Sequence, residues 1–342
     1  MKILNLDGMN LVSAFRSLGH VVISAGYLKG CDIHIDRPYN ALSVYDRVCS
    51  VGFVPDFAFL CDSGNLPYFH NLEELPCASA FYSIDTWCNH WHLPFANAFD
   101  IVFAAQKGYA EAVAECGVPV LRLPLFAPSS VIPHVDVPRD VPVSFVGTVR
   151  HKNNPDREPF LKKFKEIHPL VIYSGPYAEL YARSRVVLNQ SASSEVNFRC
   201  FEAMACGAGL LTERGCMGME DLFVEGETIL PGYIRNDRHG AAAAAARALA
   251  DPAMLARVAR AGQALVMERH LDRHRAASIT AAAASCLEGN LPAKRLNELP
   301  RRKHLISTAY AMIGMDITDV ALREHARFFL DLSALYYAAR AA

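Results

Sequence analysis

The sequence lacks three features: an excess of charge, a long apolar run and paired cysteines. Its 342 residues carry a formal net charge of -1, so a polyanionic partner such as nucleic acid is not implied. No apolar run is long enough for a membrane span or, at the first residues, for a signal peptide. The ten cysteines include no C-x-x-C pair, which argues against structural zinc. We therefore expect a cytoplasmic protein with no membrane span, no metal site and no nucleic-acid partner.

The chain does contain short apolar runs that alternate with stretches at helical spacing. A length of 342 residues exceeds the size at which a single hydrophobic core usually stops growing. The pattern therefore predicts two α/β domains with parallel strands buried on both faces. The predicted strands are residues 1–4, 20–25, 56–61, 78–84, 101–104 and 118–123 in the first series, and 143–146, 170–173, 186–189 and 209–212 in the second.

Proline marks the boundary between the two series. Residues 127–142 contain four prolines and little apolar periodicity, which is typical of a linker. We predict a first Rossmann-like domain over residues 1–127, a second over residues 138–290, and a helical extension over residues 291–342.

Two helical stretches follow the second series of strands. The alanine-rich residues 240–250 predict a helix, and Asp251 and Pro252 supply the cap and first turn of the next one. The extension is expected to pack against the body of the protein or against a second subunit in a homodimer. Its closing aromatics recur at helical spacing, which favours packing over a role as a platform for substrate: they are Phe328, Phe329, Tyr336 and Tyr337.

Residues 186–213 combine a strand, a polar loop, a helix start and a glycine turn. In such a unit, free backbone N–H groups and the positive end of the helix dipole lie where a diphosphate can bind. Arg199 can add a planar pair of donors to a phosphate. Glu202, on the same helical face, can accept hydrogen bonds from the two hydroxyls of a ribose. The plainer alternative is an exposed Arg199–Glu202 ion pair that binds nothing.

The same segment resembles the CgeB-like (spore-maturation type) glycosyltransferases, which are related to the group 1 glycosyl transferases. The residues that carry the resemblance are Asn189, Ser191, Arg199, Phe201, Glu202, Ala203, Ala205, Cys206 and Gly207. Residues 144–148 with Arg157, residues 172–175, Tyr181, and His270 with Arg275 fit the same pattern, which covers about residues 80–280. The wider group has a second glutamate before Glu202, but no role is transferred to Glu195 because its spacing differs.

This resemblance implies the GT-B fold, in which two Rossmann-like domains face each other across a cleft, here with additional C-terminal helices. The first domain would bind the acceptor and the second the nucleotide sugar. The implied activity is that of a metal-independent, retaining glycosyltransferase of the hexosyltransferase class. The donor would be a UDP-sugar and the acceptor a glycan, a protein or a small molecule, with no cofactor.

The predicted donor-binding residues lie at the ends of the second series of strands and in the loops that follow. They are Gly147, Thr148, Arg150, Tyr173, Gly175, Tyr181, Asn189, Ser191, Asn197, Phe198, Arg199 and Glu202. For Gly147, Thr148 and Arg150, an ordinary strand-to-helix turn is the alternative interpretation.

In the first domain the candidate catalytic residues are Asp85 and His90, which join Arg199 from the second. Asp85 ends an apolar strand, where it could equally cap the next helix. His90 and His92 cannot face the same side of a helix, so at most one of them takes part. Two other functions stay open: a sugar-nucleotide epimerase of the same fold, and a non-catalytic nucleotide-sugar-binding protein.

Overall fold

The computed structural model describes residues 1–133 and 137–338, which form two compact units. Met1–Leu123 and Arg275–Ala342 belong to the first unit, and Pro124–His274 form the second. The predicted linker over residues 127–142 and the predicted extension over residues 291–342 each include residues outside the described ones, 134–136 and 339–342 respectively. Residues 275–290, assigned by the sequence to the second domain, belong to the first unit.

The first unit is built on a parallel sheet of seven strands. These are β1 (Lys2–Leu6), β2 (Val21–Gly26), β3 (Ile33–His34), β5 (Phe57–Cys61), β7 (Ala78–Ser83), β8 (Ile101–Ala104) and β9 (Val120–Arg122), in the order β3-β2-β1-β5-β7-β8-β9. Two short strands, β4 (Tyr39–Asn40) and β6 (Phe69–His70), pair separately. Helices α1 (Val12–Ser17), α2 (Ala41–Ser50), α3 (His92–Phe95) and α4 (Lys107–Ala114) connect the strands. Every residue of β5 and β7 is buried, as expected for central strands covered on both faces.

The second unit contains a parallel sheet of four strands. These are β10 (Val141–Val146), β11 (Val171–Tyr173), β12 (Ser184–Leu188) and β13 (Gly209–Leu211), in the order β11-β10-β12-β13. Its helices are α5 (Arg157–Ile167), α6 (Ala178–Arg183), α7 (Phe198–Ala205), α8 (Arg238–Ala250) and α9 (Pro252–Arg269). Small alanine side chains let α8 lie close against the sheet, and five of its residues are buried.

The chain then continues through helices that complete the first unit. They are α10 (Asp272–Glu288), α11 (Leu291–Asn297), α12 (Leu299–Asp316) and α13 (Arg323–Ala338). Ile306, Tyr310 and Ile313 of α12 and Phe329 of α13 join the same hydrophobic core as the strands β1, β5 and β7. The extension is therefore an integral part of the first unit.

These observations confirm the predicted α/β class and the strands of both series. The predicted helix at residues 240–250 is confirmed as α8, and the carboxylate of Asp251 accepts a hydrogen bond from the backbone N–H of Met254, so that it caps α9 as expected. Phe329 and Tyr336 are buried as predicted, whereas Tyr337 is 67% exposed. Within the described residues, no helix is both long and apolar enough to cross a membrane.

Candidate functional site

Two arginines flank one aromatic ring at the end of the first strand of the second unit. The guanidinium carbon of Arg199 lies 4.3 Å from the ring centre of Phe145, and that of Arg157 lies 5.7 Å from it. Each arginine stands in the first turn of the helix that follows its strand, Arg157 in α5 and Arg199 in α7. We call these two residues the arginine pair. The same strand, loop and helix arrangement thus occurs twice and directs two cations to one place.

Arg199 is held in position by neutral groups. Its Nε donates to the carbonyl oxygen of Val146 at 3.0 Å, and its Nη1 donates to Oδ1 of Asn189 at 2.7 Å. The fully buried Asn189 also accepts from the side-chain amide of Asn197 at 3.1 Å and donates to Thr212 Oγ1 at 3.0 Å. Asn189 therefore orients the guanidinium without neutralising it.

Arg157 is also bound only by neutral acceptors. Its Nε donates to the side chain of Gln190 at 3.0 Å, and its two terminal nitrogens donate to the carbonyl oxygens of Thr148 at 2.9 Å and Gln190 at 3.1 Å. Burial, and then the nearby charge of Arg199, lower the pKa of Arg157 to about 10. A neighbouring anion would raise this pKa again, because an opposite charge favours the charged form of the arginine.

Neither member of the arginine pair forms an ion pair with a carboxylate in residues 1–133 and 137–338. The exposed arginines nearby behave differently: Arg150 pairs with Glu158 and Arg214 with Glu225. Half-buried cations without counter-charge are costly, and they occur where an anionic ligand supplies the charge. The pair therefore presents two guanidiniums, neither bound directly to a carboxylate in the described residues, at which an anion has room for charge-assisted hydrogen bonds.

Gly147 makes room for this arrangement. Its φ of 146° lies in a region that residues with a side chain rarely adopt. A Cβ atom built there would lie 2.6 Å from Nη2 of Arg199. The sequence identified Gly147 as a donor-site residue, and the structure places it directly beside the guanidinium.

Glu202 lies one turn along α7 from Arg199. Burial raises the pKa of Glu202 to about 7, against the opposing effects of the Arg199 charge and the Tyr177 hydroxyl. The buried Tyr181 lies beside both charged groups, and its hydroxyl donates to the carbonyl oxygen of Val146 at 3.5 Å. Arg199 and Glu202 are not within ion-pair distance of each other, so the alternative of a simple Arg199–Glu202 salt bridge does not hold.

The loop before α7 is fixed by two buried carboxylates. Glu213 accepts hydrogen bonds from the backbone N–H and the hydroxyl of Ser191, and its own pKa is raised by burial. Glu195 accepts from the backbone N–H groups of Ala192, at 2.9 Å, and Ser193. Glu195 thus shapes the loop.

Several predicted donor residues are not brought to the arginine pair through their side chains. Arg150 is exposed and bound to Glu158 at 2.7 Å, and Thr148 contributes only its carbonyl oxygen, to Arg157. Tyr173 is 44% exposed and covers Gly175, where a Cβ would lie 2.6 Å from the Tyr173 hydroxyl oxygen.

Two other predicted donor residues stand where α7 begins. Phe198 packs edge-on against Phe126, with ring centres 5.3 Å apart. Asn197 precedes the helix and donates to Asn189, as described above. The roles of all these residues in donor binding stay predictions.

Asp85, the candidate catalytic residue of the first unit, is part of a carboxylate network at the carboxyl ends of its strands. Its backbone N–H donates to the carboxylate of Asp62 at 2.8 Å, and its own carboxylate accepts from the indole of Trp87 at 3.3 Å. Asp62 is 5% exposed, and burial raises its pKa. Asp62 was not predicted; its only signal in the sequence is its place directly after β5.

The two histidines near Asp85 differ sharply. His90 is exposed. His92 is fully buried, its Nδ1 lies 2.9 Å from the hydroxyl of Ser83, and burial followed by the nearby His90 charge lowers its pKa to about 3. His92 is therefore a neutral core residue, and a catalytic role for the exposed His90 stays a prediction.

Asp7, at the end of β1, is a second unpredicted carboxylate. Both of its oxygens accept from the backbone N–H of Tyr68, at 2.9 and 3.1 Å, and burial raises its pKa to about 7. In the part of the chain that the structure describes, no three His, Cys, Asp or Glu side chains come together as metal ligands would. Whether the reaction needs a metal remains a prediction.

Comparison with known protein families identifies one match, which lies mostly in the second unit. Residues 140–281 match the family model described as glycosyl transferase-like. This segment contains the arginine pair, Asn189, Glu202 and the loop between them. A comparison with curated proteins finds no match.

Solved structures match most of the chain at low identity. HepE from Anabaena, in complex with UDP and glucose, has a TM-score of 0.60 at 12% identity, over 83% of this chain and 100% of HepE. Sucrose-phosphate synthase from Thermosynechococcus elongatus has a TM-score of 0.62 at 11% identity, over 84% of this chain and 100% of the synthase. A Listeria monocytogenes protein described as a UDP-N-acetylglucosamine 2-epimerase has a TM-score of 0.54 at 14% identity, over 84% of this chain and 97% of that protein.

At such identities the likeness shows the fold. Together with the family match it supports a glycosyltransferase. The chain has the fold of the GT-B glycosyltransferases, and its residues 140–281 match a glycosyl transferase-like family.

Proposed function

We propose that this protein transfers a hexosyl group from a UDP-sugar to an acceptor hydroxyl. The observation that carries the proposal is the arginine pair, two half-buried guanidiniums without a carboxylate partner in the described residues, beside Gly147 at a strand end. A nucleoside diphosphate supplies the negative charge and the planar oxygen groups that such cations bind. The family match and the fold support the same assignment.

The proposed chemistry breaks the bond between the anomeric carbon and the diphosphate and forms a bond from that carbon to the acceptor oxygen. The diphosphate leaves with the electron pair, and the acceptor proton is released. Negative charge grows on the leaving group, so the arginine pair lowers the barrier by binding the departing diphosphate more tightly than the intact donor. This is why we propose that no metal ion is required.

Glu202 is assigned to the ribose of the donor. A carboxylate can accept hydrogen bonds from both ribose hydroxyls, and its place one turn from Arg199 fits the spacing between ribose and diphosphate. We propose transfer with retention of configuration, which needs no strong base on the acceptor. A product of inverted configuration would instead require a base, for which Asp85 is the candidate. The CgeB-like subtype and a cytoplasmic location belong to the proposal on sequence grounds alone.

The test is a thermal-shift and calorimetric screen of the full chain with UDP, GDP, ADP and CMP, each with and without EDTA. We expect UDP to raise the melting temperature, since a ligand at a hundred times its Kd stabilises the folded state by about 2.7 kcal/mol. EDTA should leave the shift unchanged. Absence of a shift with all four nucleotides would reject the proposal.

Product analysis distinguishes the proposed transferase from an epimerase, the activity by which the structurally similar Listeria monocytogenes protein is described. A transferase releases UDP only as sugar is transferred to an acceptor or, more slowly, to water. An epimerase converts the sugar with no acceptor present. NMR of UDP-sugar incubated with the protein alone distinguishes these outcomes through the signal of the anomeric proton.

A further inference from the structure

The loop before α7 directs two successive backbone N–H groups at a single carboxylate. The N–H of Ala192 donates to Oε1 of Glu195 at 2.9 Å, and the N–H of Ser193 donates to Oε2 of the same side chain. Successive backbone N–H groups that point at one place are a recurrent way in which proteins bind phosphate. Here the protein's own carboxylate occupies that place, and Glu195 is only 6% exposed.

This carboxylate lies near the arginine pair. Nη2 of Arg157 donates to the carbonyl oxygen of Gln190 at 3.1 Å, and the next peptide group along the chain carries the N–H of Ala192. Burial and the charge of Arg199 lower the pKa of Arg157, and the charge of Glu195 is the largest effect that opposes them. Glu195 therefore places a negative charge close to Arg157 without a direct ion pair.

The loop has further attachments that do not involve Glu195. The guanidinium of Arg235 donates to the hydroxyl of Ser194 at 2.7 Å and to the carbonyl oxygen of Ala192. The carbonyl oxygen of Ser194 also accepts from the backbone N–H of Met217 at 2.9 Å. These contacts hold the backbone on either side of Ser193, so the direction of the two N–H groups does not depend on Glu195 alone.

A phosphate group and the carboxylate of Glu195 need the same donors. Phosphate oxygens accept from backbone N–H groups and from guanidiniums, as carboxylate oxygens do. Two negative charges held side by side in a buried site repel each other strongly. The carboxylate must therefore move away, or the phosphate stays at the arginines and lacks the two N–H groups. In either case Glu195 opposes the binding of the phosphate.

We propose that the carboxylate of Glu195 competes with a phosphate group of the donor for the N–H groups of Ala192 and Ser193. The identity of the ligand as a nucleotide sugar rests on the proposed function, whereas the competition applies to any diphosphate. Glu195 thus weakens the binding of every ligand that places a phosphate at this loop and leaves the binding of an uncharged nucleoside unchanged. This is a role that the resemblance to known glycosyltransferases does not give it.

Calorimetric titration of the full chain with inorganic pyrophosphate, UDP and uridine tests the inference. Glu195→Gln removes the negative charge with little change in shape. We expect this variant to bind pyrophosphate and UDP at least ~10-fold more tightly than wild type, because a charged competitor for strong hydrogen bonds is lost. Uridine should bind to both proteins equally. Glu227→Gln is the matched control, since it makes the same change of charge at an exposed position of the same unit and should behave as wild type.

The sign of the change separates competition from a purely structural role. If Glu195 only held the loop in place, Glu195→Gln would bind pyrophosphate and UDP more weakly than wild type. A weaker or an unchanged affinity of the folded variant for pyrophosphate overturns the inference, and circular dichroism shows whether the variant is folded. Absence of pyrophosphate binding to both proteins overturns it too.

NMR of wild type gives a second test that needs no variant. In the 15N-labelled full chain, saturating pyrophosphate should shift the amide signals of Ala192 and Ser193, because their acceptor changes from a carboxylate to a phosphate. Unchanged signals overturn the inference.

Titration with UDP separates this inference from the proposed function. A gain in affinity for pyrophosphate in Glu195→Gln, with no UDP binding to either protein, keeps the competition and rejects the nucleotide-sugar function. UDP bound equally well by wild type and Glu195→Gln keeps the function and rejects the competition.

Discussion

Both units contain arginine side chains removed from water, but these are satisfied in different ways. Arg295 of the first unit is completely buried, its Nε donates to Asp100 at 2.9 Å, and its other nitrogens donate to three backbone carbonyls and to the same carboxylate. Arg157 and Arg199 of the second unit are half-buried and bind only neutral groups. The comparison teaches that burial alone does not show whether an arginine already has a counter-charge. The distinction is whether the charge already has a partner.

Arg295 should give the largest effect on stability. Its guanidinium joins α11 to the segment that precedes β7 and to Asp100 just before β8. Arg295→Met would leave the buried carboxylate of Asp100 without this counter-charge. We expect the free energy of unfolding to fall by about 3–5 kcal/mol. Urea denaturation measures it, with Arg301→Met as the control because that side chain is 68% exposed.

A double variant sharpens the interpretation of Arg295. Asp100→Asn combined with Arg295→Met removes both charges, so it should be more stable than Arg295→Met alone. If the single variant loses no more than the exposed control does, the buried pair is not structural and the comparison fails.

The arginine pair should behave in the opposite way. Arg199→Met removes charge-assisted hydrogen bonds to a bound diphosphate, each of which is worth about 1.5–3 kcal/mol, so the affinity for UDP should fall roughly 10- to 100-fold. Stability should change little, because no carboxylate is left unpaired. Calorimetric titration with UDP measures the first and urea denaturation the second.

Arg150→Met is the matched control for this prediction. Arg150 was also predicted as a donor residue, but its exposed side chain pairs with Glu158. We expect the affinity for UDP to change less than ~2-fold. Equal losses in the two variants would mean that the phosphates bind near Arg150 and not at the arginine pair.

Glu202 should give a smaller effect, visible as a pH dependence. Burial raises its pKa to about 7 in the folded protein, above its ordinary value of 4.5, so the folded state holds this proton more tightly than the unfolded chain. Its contribution to stability is therefore complete below about pH 4.5 and is lost as the pH rises through about 7. Between pH 5 and 8, the free energy of unfolding of wild type should fall relative to Glu202→Gln by roughly 1–2 kcal/mol.

Urea denaturation of both proteins at several pH values tests this prediction. A difference between them that stays constant with pH, or a wild type that gains stability relative to Glu202→Gln as the pH rises, would contradict the burial of Glu202. Asp7, whose pKa is also raised to about 7, is present in both proteins and cancels in the comparison.

Much of the second unit could be predicted from the sequence. Short apolar runs fix where parallel strands form, and a helix that follows each strand fixes where an anion binds, because both depend on residues close in the chain. Arg199 and Glu202 were recognised in this way, whereas Asn189 was recognised through the resemblance to the CgeB-like glycosyltransferases. Arg157 was not given a site role, although it occupies the matching place after β10. Its contact with Phe145 and Gln190 depends on how two neighbouring strands pair.

The ion-pair partner of a charged residue could not be predicted from the sequence around that residue. Arg295 and Asp100 are 195 positions apart, and nothing in either neighbourhood indicates that they meet. The sequence predicted that the C-terminal extension packs on the body of the protein or on a second subunit. The structure shows that the extension shares a hydrophobic core with β5 and β7 of the first unit. Such contacts are set by the whole packing arrangement.

The sequence by itself determined the class of the fold, its strands and the loop at which we propose that the diphosphate binds, since these follow from periodicity and from helix starts. Tertiary structure alone decided that Arg295 has a carboxylate partner and that Arg157 and Arg199 are bound by neutral acceptors. The physical reason is that a local sequence pattern sets the backbone conformation and the direction of each side chain. Ion pairs and packing contacts, in contrast, form between segments that are far apart in the chain.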